Sequence, residues 1–368
     1  MSSEVPIDYR ALAARSPPHL SVEELAILEG EAVAVAAACK LLAAYHVHTG
    51  NIETALTYAR QGYALVPEAE AAGNIARILL GLRRYSDARD LAAAEGPFDP
   101  IDRQLVLTET HWRLGADDLS RDAGRVAIAL LDANAATCTR KPKKKPRSGG
   151  LNVLSYSLFG DQPRYLDGAL RNAVVARHLY PGWRVRFYVD ATVPNRSKSL
   201  LTNEGAELIE IAPEDPLARF GTCWRFLVED DSDVALYVVR DCDAVINVKE
   251  RAAVEEWLIS GLTLHVMRDH PCHAALILAG MWGARAGRLG PMRDRLLDFV
   301  AGRPEATGDY DFDQKFLRHE VWPLMKDDMM QHDSWFKYHG SQPFRAEFNL
   351  PPYRHIGQDD SVALSQGL

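Results

Sequence analysis

Two hydrophobic periodicities divide the chain. Between about residues 24 and 135, apolar positions recur at helical spacing. Beyond residue 151, short apolar or alternating runs are separated by helical stretches. Within the first region three segments repeat a turn that leads into a helix: HTGNIETALTYA from His48, GLRRYSDARDLA from Gly81 and RLGADDLSRDAG from Arg113. Gly50, Arg83 and Gly115 align, and the small residues Ala55, Ala88 and Ser120 follow in step. The spacing is close to that of helix-turn-helix repeats of roughly 34 residues, which stack to bury a continuous core and leave a concave face. Pro67 marks a helix stop at the end of the first unit.

The second region predicts a strand over Leu151 to Gly160, ending in a loop, and a helix over Arg164 to Leu179. A strand follows over Trp183 to Asp190, a helix over Asn195 to Asn203 and a third strand over Ala206 to Ala212. Phe220 to Glu229 predicts a helix and Val234 to Val239 a fourth strand. Such alternation implies an α/β domain whose mostly parallel sheet is flanked by helices and binds ligands at the carboxyl ends of its strands. Between the regions, RKPKKKPRSGG (Arg140 to Gly150) is too basic and too rich in Pro and Gly to build a core. It reads as a linker, and such a run can also touch an anionic surface. The expected organisation is an all-α repeat domain over 1–138, a linker over 139–150 and the α/β domain over 151–368.

A composition of 47% hydrophobic and 25% charged residues fits a globular protein with substantial cores. The net charge of -8 argues against general nucleic-acid binding. The N-terminus lacks a signal-peptide pattern, and no apolar run reaches the roughly 18 to 20 residues that span a bilayer. The richest run, Ala32 to Tyr45, carries Lys40. Cys39, Cys138, Cys223, Cys242 and Cys272 are scattered, with no Cys-x-x-Cys pair, so neither a zinc site nor a disulfide framework is expected. A cytoplasmic setting is the simplest, with peripheral contact at the inner membrane face allowed by the basic linker.

The stretch VALYVVRDCDAVIN (Val234 to Asn247) places Asp241 and Asp243 at the carboxyl end of the fourth strand. Alternate residues of an extended segment face the same way, so the two carboxylates can meet one cation while Cys242 points elsewhere. Oxygen donors suit magnesium or manganese. The alternatives are solvated loop acids or salt bridges with Arg225 and Arg240.

From residue 151 to 358 the chain resembles bacterial nucleotide-sugar-dependent glycosyltransferases of the GT-A fold. The matching words are SYSLFGDQPRYLDGALRNA, YPGWRVRFYVD, CWRF, VVRDCDAVIN, HVMRDHPCH, ILAGMWG, YDFDQKFL, VWP and HDSW. The helical region resembles degenerate tetratricopeptide repeats. The resemblance implies that Asp241 and Asp243 hold Mn2+ or Mg2+ against the diphosphate of a nucleotide-sugar donor. Ser155, Phe159 and Gly160 would line the nucleotide pocket, with Asp190 near base or ribose. Arg225 would touch phosphate or form a salt bridge, with Arg240 beside it. Gly280, in AGMWG, would allow close backbone approach to a ligand. Asp313, in the Asp-Gln word, would act as base or transition-state stabiliser, or cap a helix. Asp269, with His270 and His273, would recognise sugar hydroxyls or supply a base, or form a turn stiffened by Pro271. His332 is the candidate third metal ligand, with His339 and His355 competing for the role. Cys242 departs from the small residue expected between the acids.

The expected activity is transfer of a sugar from a nucleotide-diphosphate sugar to an acceptor hydroxyl on a glycan, lipid or protein. The repeats would recruit an acceptor, a protein partner or a second copy. A nucleotidyltransferase fits less well, because VEDDSDVA lacks a Gly-Ser turn before the acids. An aspartyl-nucleophile phosphatase would carry its acids after the first strand. The remaining rival is a helical-repeat adaptor with an inactive α/β domain.

Overall fold

The protein is described by a computed structural model over residues 8–13, 19–135, 145–147, 149–303, 311–349 and 355–359. Cys138, most of the expected linker (139–144 and 148) and Tyr310 lie outside the described residues. Two compact units divide the chain, Met1–Leu130 and Leu131–Leu368.

The first unit is helical, with α1 (Tyr9–Ala13), α2 (Val22–Glu31), α3 (Ala36–His48), α4 (Ile52–Leu65), α5 (Ala69–Gly81), α6 (Tyr85–Ala93) and α7 (Pro100–Arg113), and it leads into α8 (Asp117–Ala133). Ser21 and Glu24 form a capping box at the start of α2, and Asp99 caps α7 ahead of Pro100. The three aligned turns join α3 to α4, α5 to α6 and α7 to α8. Gly50, Arg83 and Gly115 all take a left-handed backbone there, with φ of 79°, 58° and 77°. The repeat is therefore set by a turn conformation that glycine adopts freely and that costs Arg83 roughly 1 kcal/mol. Ala55, Ala88 and Ser120 are fully buried, so small side chains let the helices of each pair approach closely. Ser120 satisfies its hydroxyl by donating to the Thr108 carbonyl at 2.7 Å. Helices α3, α4 and α5 enclose a groove of about 850 Å³ lined by Lys40, Tyr58, Tyr63, Glu70 and Arg77 among others. No helix among the described residues is long and apolar enough to cross a membrane.

The second unit holds a seven-stranded sheet in the order β3-β2-β1-β4-β6-β5-β7. Its strands are β1 (Leu151–Leu158), β2 (Arg184–Val189), β3 (Glu207–Glu210), β4 (Val234–Arg240), β5 (Leu264–Arg268), β6 (Met281–Arg285) and β7 (Met329–Asp333). β1 pairs parallel with β2 and β4, β2 with β3, and β5 with β7, while β6 runs antiparallel between β4 and β5. The helices are α9 (Pro163–Leu179), α10 (Asn195–Asn203), α11 (Val248–Ser260), α12 (Met292–Gly302), α13 (Phe312–Phe316) and α14 (Trp322–Met325). The fold is thus an all-helical region followed by an α/β region with a mostly parallel mixed sheet, as the patterning implies. Leu154, Tyr156, Phe187, Val238 and Trp257 belong to the main core of the sheet. Trp282 is fully buried against Phe226 and Tyr237, which makes it core.

The helix expected over 220–229 is present as a 3-10 helix, Gly221–Asp230. The Arg225 carbonyl accepts from the Ser155 hydroxyl at 2.7 Å, and its amide donates to the Ser157 hydroxyl at 2.9 Å. Backbone groups that an α-helix would pair internally are instead bonded to β1.

Within the same turns Glu229 is fully buried and accepts from the amides of Gly287 and Leu289 at 2.9 and 3.0 Å. Burial is the main cause that pushes its carboxyl from 4.5 up to about 7, against the opposing amides. Folding thus keeps a proton that the unfolded chain releases between these values, and the associated stability is lost as pH rises through about 7.

Two outcomes are expected. Arg83→Gly raises the urea midpoint of the helical unit, with a gain in unfolding free energy of up to about 1 kcal/mol; an unchanged or lower midpoint contradicts a strained turn. Glu229→Gln keeps an acceptor for both amides but removes the titration. Stability of the native chain then falls relative to this variant between about pH 4.5 and 7, by roughly 3 kcal/mol at 1.36 per pKa unit, as read from urea curves at each pH. Parallel pH profiles contradict the assignment.

Candidate active site

β1, β2, β4 and β5 run in one direction, so their carboxyl ends meet at one edge of the sheet, where antiparallel β6 begins. Phe159 and Gly160 leave β1 there, Asp190 leaves β2, Asp241 to Asp243 leave β4 and Asp269 leaves β5. Gly280 precedes β6 at the same edge.

The acids sit on a turn that other elements hold. Asn172, fully buried on α9, donates to the carbonyls of Cys242 and Ala244 at 3.2 and 3.1 Å, and accepts from the Ile246 amide at 3.1 Å. Its carbonyl also accepts from the Tyr156 hydroxyl at 3.2 Å. One turn earlier, a Cβ on Gly168 would run into the Cys242 carbonyl, so glycine is what lets α9 reach the turn. Cys242 faces inward, as expected, with its Sγ 3.0 Å from the Ser157 carbonyl. Behind Asp241, a Cβ on Gly280 would run into the carboxylate. The close approach that this glycine allows is by the acid itself.

Arginines meet both acids. Asp241, 48% exposed, pairs with the buried Arg225. Arg225 also binds Asp313 at 3.1 Å and the Arg240 carbonyl at 3.2 Å. Asp243 pairs with Arg164 at 2.6 Å, and Arg164 also pairs with Asp359 at 3.2 Å. The two acids therefore do not converge through one extended segment. Each takes its own guanidinium, and each guanidinium serves two carboxylates. The crowding of like charge is felt. Burial raises the Asp243 carboxyl, Asp241 raises it further and Arg164 opposes. Burial likewise raises Asp313, with Asp241 adding to the shift and Arg225 opposing.

Beside this chain, Asp269 pairs with Lys249 at 2.5 Å and accepts from the Ile356 amide at 3.3 Å. Its carboxyl is also raised, chiefly by burial. His270 stacks on His355 with ring centroids 4.2 Å apart, and His273 approaches His355 edge-on. Residues 355–359 thus bring His355 and Asp359 to the carboxyl edge, with Ile356 buried beside Met267 and Met281. Asp190 accepts from the amide and hydroxyl of Thr192, whose hydroxyl in turn accepts from the Gly160 amide at 2.6 Å. Phe159 stays 43% exposed beside Trp224.

Three expected residues are placed otherwise. Ser155 is fully buried and pins Arg225, so it lines no pocket. Arg240 is buried against Glu250 at 2.9 Å and donates to the Gly280 carbonyl at 2.7 Å, so it faces the interior. His332 lies on β7, at the far edge of the sheet, and its ring nitrogens bond His265 at 2.9 Å and Glu256 at 3.0 Å. It does not join the acid pair, because α11 and β5 engage both of its nitrogens. His339 packs edge-on against Tyr338 with a left-handed backbone.

Among the described residues no three His, Cys, Asp or Glu side chains are gathered to hold a metal ion. The acid turn nevertheless fits one of the hard divalent cations, which are commonly held by one or two carboxylates plus the oxygens of a bound phosphate. Two carboxylates share one turn, Gly280 leaves room for the first, and at Arg225 two acids face one guanidinium.

No protein-family model matches the chain, and no curated protein matches it. Solved structures do match. A mutant of the Thermobaculum terrenum O-GlcNAc transferase aligns at 16% identity with a TM-score of 0.35. The alignment covers 56% of this chain and 39% of that one.

Asn172→Leu is expected to leave the amide and carbonyls of the acid turn without partners. Each orphaned group costs about 1–3 kcal/mol, so the variant should lose at least about 3 kcal/mol in urea unfolding. A loss under about 1 kcal/mol contradicts the role given to Asn172.

Proposed function

We propose that this protein is a metal-dependent glycosyltransferase that moves a sugar from a nucleotide-diphosphate donor to an acceptor hydroxyl. The observation that carries the reading is the imbalance at the end of β4, where half-exposed Asp241 and buried Asp313 share Arg225. A site with that charge accepts a cation together with an anionic ligand. A bound Mn2+ or Mg2+ would act there as a Lewis acid, stabilising the charge on the departing diphosphate.

The chain's own groups have separable tasks. Asp241 and Asp243 offer oxygens to the cation. Arg225, anchored by Asp313 and by β1, presents a planar cation suited to phosphate. Asp313 stays beside it, placed to steady developing positive charge on the donor sugar. Phe159, Gly160 and Asp190 lie where a base and ribose would rest. Asp269 and Lys249, with His270 and His273, form the opposite wall, suited to sugar hydroxyls. Of the three competing histidines, His355 is the one carried by the segment that reaches the acids through Asp359 and Arg164. The groove of the helical unit, with both charges and two tyrosines, suits an acceptor or protein partner.

A specific observation favours a second reading. Both acids are already paired with arginines, as they would be in a helical-repeat adaptor whose α/β region is inactive. One experiment separates the two. The full chain is incubated with UDP- and GDP-sugars, with and without Mn2+, and nucleotide release is measured. Transferase chemistry predicts slow, Mn2+-dependent release from one donor class, reduced ~100-fold or more in Asp243→Asn and in Gly280→Ala. Absence of release, together with no nucleotide binding by calorimetry in the presence of Mn2+, supports the adaptor and contradicts the enzyme.

A further inference from the structure

The two arginines at the acid turn are not equivalent. The Arg225 side chain is 5% exposed and is fixed by Asp313, by the Arg240 carbonyl and by the serines of β1 that hold its backbone. The Arg164 side chain is 42% exposed, near the start of α9, and holds Asp243 at 2.6 Å. It has partners ready elsewhere: Asp359 at 3.2 Å, the Tyr165 hydroxyl at 3.0 Å and the Tyr165 ring at 4.6 Å. Asp243 has 17% of its side chain exposed. A cation approaching it from solvent must compete with one guanidinium, and that guanidinium can let go without being stranded.

We infer that Arg164 is an exchangeable stand-in for the divalent ion: it neutralises Asp243 in the empty site and yields the carboxylate when the metal arrives, remaining on Asp359 and Tyr165. The inference rests on the proposed metal site and adds a residue that acts against metal binding in the empty protein. The exchange is of ion pairs only, with no bond made or broken. Arg164, Gly168 and Asn172 recur every fourth residue along one face of α9. The same face therefore holds the acid turn by its backbone and occupies one of its carboxylates.

The competition has an unusual sign, since removing a residue of the site should improve binding. Mn2+ alone is the probe, titrated into the full chain and followed by the electron paramagnetic resonance signal of the free ion. Arg164→Met removes the charge but keeps an unbranched side chain, and is expected to bind Mn2+ about three- to fivefold more tightly than the native chain, the scale of a part-exposed ion pair. Arg164→Lys should lie between the two. Arg177→Met, on the same helix and paired with Glu204, should leave the affinity unchanged. In an Asp243→Asn background, Arg164→Met should have no effect. Unchanged or weaker Mn2+ binding by Arg164→Met, beside normal binding by the native chain, overturns the stand-in role and leaves the metal reading intact. An equal gain in Arg177→Met also overturns it, since the effect would then be a general one of surface charge. No Mn2+ binding by either the native chain or Arg164→Met overturns both.

Discussion

Two carboxylates cannot both be neutralised by one guanidinium. At the end of β4, Asp241 and Asp313 share Arg225, while Asp243 lies close enough to Asp241 for the charge on one to raise the carboxyl of the other. Burying such a group is costly unless an opposite charge accompanies it. The fold keeps Asp241 half open to water and does not bury it, which is the condition for an outside cation to reach it. The functional reading follows from this one imbalance.

Several neighbouring elements of the α/β region hold that turn. Gly168 lets α9 approach the backbone of the acids, and Asn172 bonds three groups of that backbone. Gly280 gives Asp241 its place, and Arg240 ties the start of β6 to Glu250 on α11. Ser155 and Ser157 draw Arg225 out of an α-helix and fix its backbone against β1. Preorganisation of this kind matters for electrostatic stabilisation, because a group already oriented need not reorganise when charge develops.

Much of this was legible in the sequence. The three turns announced themselves through the aligned register of Gly50, Arg83 and Gly115, but their shared left-handed backbone became visible only in the structure. The strands of the parallel half followed from apolar periodicity, and the turning of Cys242 away from the acids from the alternation of side chains in an extended segment. The roles of Ser155, Arg240 and His332 did not, because residue type and motif position are silent on which neighbour a buried polar group finds. His332 needed the positions of Glu256 on α11 and His265 on β5, brought together only by the sheet order. The 3-10 turns around Arg225 depended on two serine hydroxyls from β1. The Arg164, Gly168 and Asn172 series was present as a spacing of four along a predicted helix, but it became informative only once that face was seen to meet the acids. Asp359 and Lys249 carried no local signal.

The central claim is that the charge at the end of β4 is completed by a divalent cation. A crystal of the full chain soaked with Mn2+ and a nucleoside diphosphate, measured at the manganese absorption edge, addresses this directly. The account predicts an anomalous peak within bonding distance of the Asp241 and Asp243 carboxylates, with Arg164 withdrawn toward Asp359. Both acids still held by their arginines, with no peak between them and the diphosphate, would contradict it.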